Sequence, residues 1–281
     1  MRRQVKREAV KRELVPGESR ALLQELHLLT RQGDLNADAL RKLKQVNHLC
    51  GLLAPAVQDV LSRFGDPVVA DCGAGKSYLG FILYELFLGP AGKGRVLSVE
   101  SRAELTAAAE ARARRLGFER MAFQTAAIGE AELPPRLHLV TALHACDTAT
   151  DDALALAVRH NADHVALVPC CQAEVARQLA EGRAADPVLA ELHGRPWHRR
   201  EFGSHLTNVI RALALEAAGY RVTVTELTGW EHSLKNELIL GEKVRAQNPA
   251  ARERLAALLR ATGVTPKVVR LLEMVPAGAP G

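Results

Sequence analysis

The sequence predicts an α/β fold of the Rossmann-like kind, with a mostly parallel sheet of seven strands and an antiparallel last strand. An apolar run ends in Asp71 and turns through Gly73 and Gly75 into a second apolar segment. This pattern is typical of a buried strand, a glycine loop and a helix. The next apolar run ends in Glu100, where such folds place an acidic residue. Strand-like and helix-like segments then alternate along the chain, which indicates a sheet built from βαβ units.

The region before the first strand predicts a helical N-terminal extension, residues 1–64. Residues 19–30 and 37–64 have helical apolar spacing, and we expect them to pack on the sheet edge or to cover a bound cofactor. The first twelve residues carry six basic side chains against Glu8 alone. They are either a solvated helix start or a basic arm that binds RNA phosphates.

Residues 65–243 are predicted to form the main domain, and residues 244–281 a C-terminal helix with a loose tail. The last two strands should form an antiparallel hairpin, and residues 184–203 look like an irregular insertion over the active face. The final helix, 249–262, reads as amphipathic and exposed. The predicted strands after the glycine loop are 95–100, 121–125, 137–143, 165–168, 220–226 and 237–240, and the helices are 78–88, 103–116, 153–159, 204–218 and 249–262.

Composition narrows the class of protein. The 281 residues are 48% hydrophobic, enough for a globular core, and the net charge of +5 permits a polyanionic partner. Aromatic residues are only 4%, which limits base-stacking surfaces. Five cysteines without framework spacing, no signal peptide and no membrane-spanning run indicate a reducing, cytoplasmic compartment. The lack of a Cys-x-x-Cys pair predicts no structural zinc and no metal site.

The glycine loop fits two different ligands. Read from Ala70 through Gly75 to Lys76, it nearly matches a phosphate-binding P-loop, but Asp71 would repel the phosphates. Read from Asp71 through both glycines, it resembles the first motif of class I S-adenosylmethionine (SAM) methyltransferases. Glu100 favours the second reading, because an acid there accepts hydrogen bonds from ribose hydroxyls. A P-loop NTPase remains the remote alternative.

Polar residues that follow strands are the candidate site, because ligands of open parallel sheets bind beyond the carboxyl ends of the strands. Asp71 is expected to face the methionine end of SAM, Glu100 to bind the ribose, and a residue of 124–127 to touch the adenine. His144 and Asp147 should border the transfer site, although His144 also fits a purely structural role. The predicted cofactor contacts are Asp71, Gly73, Gly75, Lys76, Glu100, Ser101 and His144.

The acceptor chemistry leaves several alternatives open. For a hydroxyl acceptor, His144 or Lys235 is the candidate base. Cys146 and Cys170 occupy places comparable to the two cysteines of RNA cytosine-C5 methyltransferases, where a thiolate attacks the pyrimidine ring. Cysteines at such positions are also ordinary small hydrophobic residues. The sequence His-Ala-Cys-Asp at 144–147 disfavours methylation of base amines, which usually takes an Asn or Asp, two prolines and an aromatic residue.

Several motifs together resemble the methyltransferase domain 32 family, over about residues 44–241. They are DCGAGKSYL (71–79), LHACDTATD (143–151), VPCCQ (168–172), Leu206 to Asn208 with Arg211, and Lys235 with Asn236. The family is similar to the tRNA acceptor-stem 2′-O-methyltransferases, but this sequence lacks their zinc modules. The resemblance implies a SAM-dependent methyltransferase acting on RNA, either tRNA or rRNA. A protein substrate is the alternative, and a non-catalytic accessory protein that binds SAM or RNA is another.

Overall fold

The computed structural model describes residues 12–143, 145–181, 187–227 and 237–276. Seven strands form one sheet: β1 (Val68–Cys72), β2 (Arg95–Glu100), β3 (Met121–Thr125), β4 (Leu139–Leu143), β5 (His164–Val168), β6 (Tyr220–Glu226) and β7 (Glu237–Lys243). Their order is β3-β2-β1-β4-β5-β7-β6. Strands β1 to β5 pair in parallel, whereas β7 runs antiparallel to both β5 and β6. The predicted fold class and the closing hairpin are confirmed.

The helices alternate with the strands. A π-helical turn at Tyr84–Leu88 joins α3 to α4, and a short 3₁₀ turn at Ile128–Glu130 follows β3. The helices are α1 (Arg20–Glu25), α2 (Ala37–Arg63), α3 (Tyr78–Leu83), α4 (Gly89–Ala91), α5 (Ala103–Leu116), α6 (Ala149–Arg159), α7 (Glu174–Glu181), α8 (Pro187–His193), α9 (Pro196–Ala217), α10 (Pro249–Thr262) and α11 (Lys267–Leu271).

Two apolar clusters cover the two faces of the sheet. One face packs against α1, α2, α3 and α5, and the other against α6, α9, α10 and α11. Leu49, Leu53 and Val57 form an apolar stripe on α2 and are buried in the first cluster. That cluster also contains Val69 and Leu139 from the centre of the sheet. The N-terminal extension therefore packs across a sheet face, and the expectation of packing on the sheet edge was wrong.

The prediction of an irregular insertion at 184–203 was also wrong for its described part, 187–203, because α8 and α9 occupy most of it. Helix α9 begins at Pro196, eight residues before the predicted start. Proline suits the first turn of a helix, because an N–H at that position would have no partner within the helix. Gly203 does not break this helix. A Cβ there would lie 2.8 Å from Cα and Cβ of Ala176, so glycine lets α9 pack closely against α7. Pro196 thus starts the helix, and Gly203 lets it pack closely against its neighbour.

The C-terminal helix α10 is amphipathic as predicted, but its apolar face is covered. Leu255 and Leu259 are buried in the cluster that also contains Leu215 of α9. None of the helices in the described ranges is both long and apolar enough to cross a membrane. The basic arm at 1–11 and the tail at 277–281 lie outside the described residues. The division into 1–64, 65–243 and 244–281 stays a prediction.

Candidate functional site

The candidate site is the crevice where the chain reverses direction across the sheet. From β1 the chain passes to β2 on one side, and it later returns to β4 on the other. Loops that follow β1 and β4 flank such a crevice at the carboxyl ends of the strands, which is the usual ligand position in open α/β sheets. Here those loops contain Gly73 to Ser77 and Ala145 to Thr148.

The glycine loop has the backbone conformation that its glycines were expected to supply. Gly73 and Gly75 have φ values of 63° and 57°, in the left-handed region that glycine adopts without steric cost. A Cβ on Gly73 would lie 3.2 Å from the Cβ of Ala145, so the two loops touch across the crevice. The amide of Ala74 donates to the carbonyl of Val99 at 3.0 Å, which fixes the loop on β2. Glycine at position 73 therefore lets this loop pack closely against the loop after β4.

Asp71 lies beneath the loop, at the end of β1. It is 1% exposed; its Oδ1 accepts a hydrogen bond from the Thr141 hydroxyl at 3.0 Å, and its Oδ2 accepts one from the Gly80 amide at 3.2 Å. Burial raises the pKa of Asp71 to about 6, although both hydrogen bonds act in the opposite direction. The carboxylate thus ties α3 to β1 and β4. Its expected contact with the methionine end of SAM stays a prediction.

Gly80 is a site residue that the sequence reading missed. A Cβ on Gly80 would lie 3.0 Å from the Ser77 hydroxyl, 3.1 Å from Cγ1 of Val96 and 3.3 Å from Oδ2 of Asp71. This glycine lets the first turn of α3 approach the sheet closely enough for its amide to reach Asp71. In dinucleotide-binding folds a third glycine serves close helix–strand packing three positions after the second, but that position is Tyr78 here, so the pattern does not single out Gly80.

Glu100 ends β2 directly beside the glycine loop, as predicted. Its Oε2 accepts a hydrogen bond from the Gly75 amide at 2.7 Å, and its Oε1 accepts from the Arg102 amide at 3.1 Å and from Nε at 2.8 Å. The Ser101 hydroxyl donates to Oε1 at 3.4 Å. Burial acts to raise the pKa of Glu100, but the bonds from Arg102 and Gly75 outweigh it and lower that pKa. The carboxylate is therefore held in its ionised form.

The P-loop alternative does not fit the described geometry. Ala70, which would open a phosphate loop, lies inside β1 and is 0% exposed. Strand β1 extends to Cys72, so the first three positions of the P-loop pattern lie in extended backbone instead of in the loop. The side chain of Lys76 is exposed, and its carbonyl accepts a hydrogen bond from Arg112 at 3.4 Å. A contact between Lys76 and a cofactor stays a prediction.

Asp147 lies in the loop after β4, where it caps a helix. Its Oδ1 accepts hydrogen bonds from the amides of Ala173 at 3.0 Å and Glu174 at 3.3 Å, at the start of α7. Its own amide donates to the Cys171 carbonyl at 2.7 Å, and Arg177 lies 3.3 Å from Oδ2. A carboxylate at a helix N-terminus is favourable. Asp147 therefore joins the ends of β4 and β5.

The two candidate bases, His144 and Lys235, lie outside the described residues, so their roles stay predictions. The structure does bring Cys146 and Cys170 together, with Sγ atoms 3.5 Å apart. Burial and the neighbouring thiols of Cys146 and Cys171 raise the pKa of Cys170 to about 12. A cysteine nucleophile needs a lowered pKa, so this environment argues against Cys170 as the attacking thiolate.

A buried polar network contacts the loops that follow β4 and β5 from the interior of the protein. Arg211 donates to Oδ1 of Asp151 at 2.6 Å, to Oδ1 of Asn208 at 3.2 Å and to the Asp147 carbonyl at 2.8 Å. Arg211 and Asp151 are each 1% exposed. Gln172, after β5, donates to Asn208 at 3.1 Å. The motif residues Asn208 and Arg211 thus hold the loops that carry the candidate site.

The residues around the crevice fit a nucleoside-containing cofactor such as SAM. Glu100 is an ionised carboxylate whose strongest side-chain partner, Arg102, is 60% exposed and free to swing into solvent at little cost. The amide oxygen of Gln124 is buried and has no hydrogen-bond partner within the described part of the chain. An adenine amino group is the kind of donor that such an acceptor needs. An apolar cavity of about 280 Å³, lined in part by Tyr78 and Leu143, opens beside the loop.

Fold and crevice together define a class I methyltransferase-like protein, and one family comparison agrees. Residues 41–178 match a family model described as a methyltransferase domain, which covers just under half of the chain. It is the methyltransferase domain 32 family that the motifs resemble, and the match supports that resemblance for these residues. The likeness to tRNA 2′-O-methyltransferases stays an expectation. A comparison with curated proteins found no match.

Solved structures with a similar fold are distant. An rRNA methylase from Streptococcus thermophilus is 13% identical, with a TM-score of 0.45 over 68% of this chain and 93% of its own. A SAH-bound methyltransferase from Podospora anserina is 13% identical, with a TM-score of 0.44 over 80% and 88%. A ribosomal protein L11 methylase from Lactobacillus delbrueckii subsp. bulgaricus is 14% identical, with a TM-score of 0.39 over 69% and 79%. Likenesses this weak carry no further argument.

Proposed function

We propose that this protein is a SAM-dependent methyltransferase that acts on RNA, either tRNA or rRNA. SAM would supply the methyl group. The chain would hold the nucleoside through Glu100, the glycine loop and Gln124, and it would present the acceptor at the crevice beside Ala145. Positioning of this kind supplies much of the rate of a group transfer. The cytoplasmic location inferred from the cysteines is part of the same proposal.

The observation that carries the choice of RNA is an exposed aromatic and basic surface at the start of α9. Trp197 is 61% exposed, and the guanidinium of Arg200 lies 4.2 Å from the centre of its ring. Arg195 and His198 are exposed beside it. Exposed aromatic rings with arginine provide both base stacking and phosphate attraction. We call Arg195, Trp197, His198 and Arg200 the Trp197 patch.

The Trp197 patch lies towards the same end of the sheet as the crevice. Helix α9 precedes β6, which is parallel to β5, so the start of α9 lies towards the carboxyl ends of the parallel strands. The Ser204 hydroxyl donates to Gln172, just after β5, at 2.9 Å. Trp197 is seven residues earlier, and a rise of 1.5 Å per residue puts it about 10 Å beyond that contact. An RNA bound on the patch would reach the crevice.

The proposal is tested by RNA binding at several salt concentrations. Trp197→Ala should weaken binding by about 1–3 kcal/mol, the usual value of one stacked base. Arg200→Ala should weaken it and make the salt dependence shallower by about one phosphate contact. The matched control is Arg221→Ala on β6, where Arg221 is 68% exposed and pairs with Glu242 away from the patch. Affinity in that control should be unchanged.

Substrate class is tested by methyl transfer from labelled SAM to separate pools of cellular RNA and protein. Label in the RNA, reduced by Trp197→Ala, is the expected result. Label in the protein pool alone would contradict the RNA substrate and support the alternative. Binding of both SAM and RNA without transfer would support the accessory role instead. An RNA affinity that does not change in Trp197→Ala would remove the observation on which the proposal rests.

A further inference from the structure

Three thiols converge at the ends of two neighbouring strands: Cys146 follows β4, and the adjacent Cys170 and Cys171 follow β5. The Sγ atoms of Cys146 and Cys170 are 3.5 Å apart, those of Cys170 and Cys171 are 3.5 Å apart, and those of Cys171 and Cys146 are 3.7 Å apart. Cys146 and Cys171 are exposed and Cys170 is partly buried. In the described part of the chain, these thiols are the one group of three or more possible metal-ligand atoms that lie within 4.8 Å of one another.

We propose that Cys146, Cys170 and Cys171 form a binding site for a thiophilic metal ion, with Zn²⁺ as the best fit. A Zn–S bond of about 2.3 Å in a tetrahedral site places neighbouring sulfur atoms about 3.8 Å apart. The three distances in the structure are within a few tenths of an ångström of this value. The thiols therefore form one face of a tetrahedron. Soft thiolate ligands select Zn²⁺ or Cu⁺ over the hard cations.

Hydrogen bonds within the protein hold the loops that carry the thiols in place. The Asp147 amide donates to the Cys171 carbonyl at 2.7 Å, which joins the loop after β4 to the loop after β5. Arg211 donates to the Asp147 carbonyl at 2.8 Å from the buried side. The Asp147 carboxylate caps α7 beside them. A site whose ligands are fixed by such outer contacts loses little conformational entropy when the ion binds.

A bound cation would remove the repulsion within the cluster. Three thiolates 3.5–3.7 Å apart would repel one another. A metal ion between them offsets this repulsion, because its positive charge stabilises the deprotonated thiols that coordinate it. Exposure of Cys146 and Cys171 leaves room for a fourth ligand on the solvent side. Catalytic zinc sites characteristically keep such an open position.

The site also explains why the sequence predicted no metal. Zinc motifs are usually recognised from paired cysteines two to four residues apart. Here Cys146 and Cys170 are separated by 24 positions, and only the sheet brings them together. The inference rests on the geometry of the thiols and does not depend on methyl transfer or on RNA.

The test uses full-length protein that has been fully reduced and freed of metal. Titration with Co²⁺ should produce a thiolate-to-cobalt charge-transfer band that saturates at one ion per chain and disappears when Zn²⁺ is added. Cys146→Ser and Cys171→Ser should each weaken binding by more than the roughly 10- to 100-fold cost of losing an outer-shell partner. Cys50→Ala is the matched control, because Cys50 is buried in α2 and outside the cluster. It should bind like the wild type.

Three results would overturn the proposal. The first is the absence of a charge-transfer band in the reduced wild-type protein. The second is a band that persists unchanged in Cys146→Ser and Cys171→Ser. The third is a disulfide between Cys146 and Cys170 that resists mild reductant and blocks Co²⁺, because the cluster would then be a redox pair. Circular dichroism of each variant checks that it is folded.

Discussion

Removal of the guanidinium of Arg211 is the sharpest test of how the site is supported. The variant Arg211→Met keeps much of the apolar length of the side chain but leaves Asp151 without its cation. Asp151 is 1% exposed, its Oδ1 is bonded to Arg211 at 2.6 Å, and its Oδ2 has no hydrogen-bond partner in the described part of the chain. Both carboxylate oxygens would then be buried and unsatisfied.

The expected cost is large. Breaking a buried ion pair by removal of one partner destabilises a protein by about 3–5 kcal/mol. The bonds from Arg211 to Asn208 and to the Asp147 carbonyl are lost as well, so we place the loss near the upper end of that range. Total stabilities are only about 5–15 kcal/mol. Urea unfolding followed by circular dichroism should show a lower midpoint with an unchanged slope.

A double variant and a change of pH complete this prediction. Arg211→Met combined with Asp151→Leu should recover most of the stability, because an apolar replacement of a buried pair is often neutral. Burial raises the pKa of Asp151 against the effect of Arg211. Without Arg211 the folded pKa rises further above the unfolded value, so the variant loses stability as pH rises. A loss below about 1 kcal/mol, or an equal loss at pH 5 and pH 8, would refute the reasoning.

Three further predictions follow from single contacts. Gly80→Ala should lower the free energy of unfolding by about 1–3 kcal/mol because the new Cβ crowds the sheet. The control Gly51→Ala, which has open space around the new Cβ, should not lower it. Urea unfolding measures both variants, and equal effects would contradict the packing argument. As pH rises from 4.5 to 7.5, Asp71→Asn should become more stable relative to the wild type, because a carboxyl with a pKa raised to about 6 contributes stability that is lost as pH rises. Urea midpoints of both proteins measured at each pH test this. Parallel pH curves would contradict it. Arg102→Ala should bind SAM at least as tightly as the wild type, because the exposed Arg102 side chain competes with the ribose for Glu100. Calorimetry measures the affinity. Weaker binding would mean that Arg102 itself contacts the cofactor.

Much of the fold could be predicted from local patterns. The strands that end in Asp71 and Glu100, the glycine loop and the closing hairpin each carry a signal within a few residues. Apolar periodicity and positive-φ glycines act locally, so a single sequence displays them. The place of Glu100 beside Gly75 followed from the same pattern, because parallel strands align their carboxyl ends at one edge of the sheet.

What could not be predicted depends on contacts between distant residues. Arg211 and Asp151 are 60 positions apart, and no local pattern pairs them. The need for glycine at position 203 arises from Ala176, which lies on another helix. The thiol cluster likewise appears only when β4 and β5 are paired. In each case the sequence supplied the residue type, and the tertiary structure supplied its partner.

The central claim is that the crevice binds SAM through Glu100, and calorimetric titration tests it most directly. The wild-type protein should bind SAM with micromolar affinity and should not bind ATP with magnesium. Glu100→Ala should lose SAM binding, while Glu104→Ala, a nearby exposed acid on α5, should keep it. Binding of ATP alone, or SAM binding that survives in Glu100→Ala, would contradict the account.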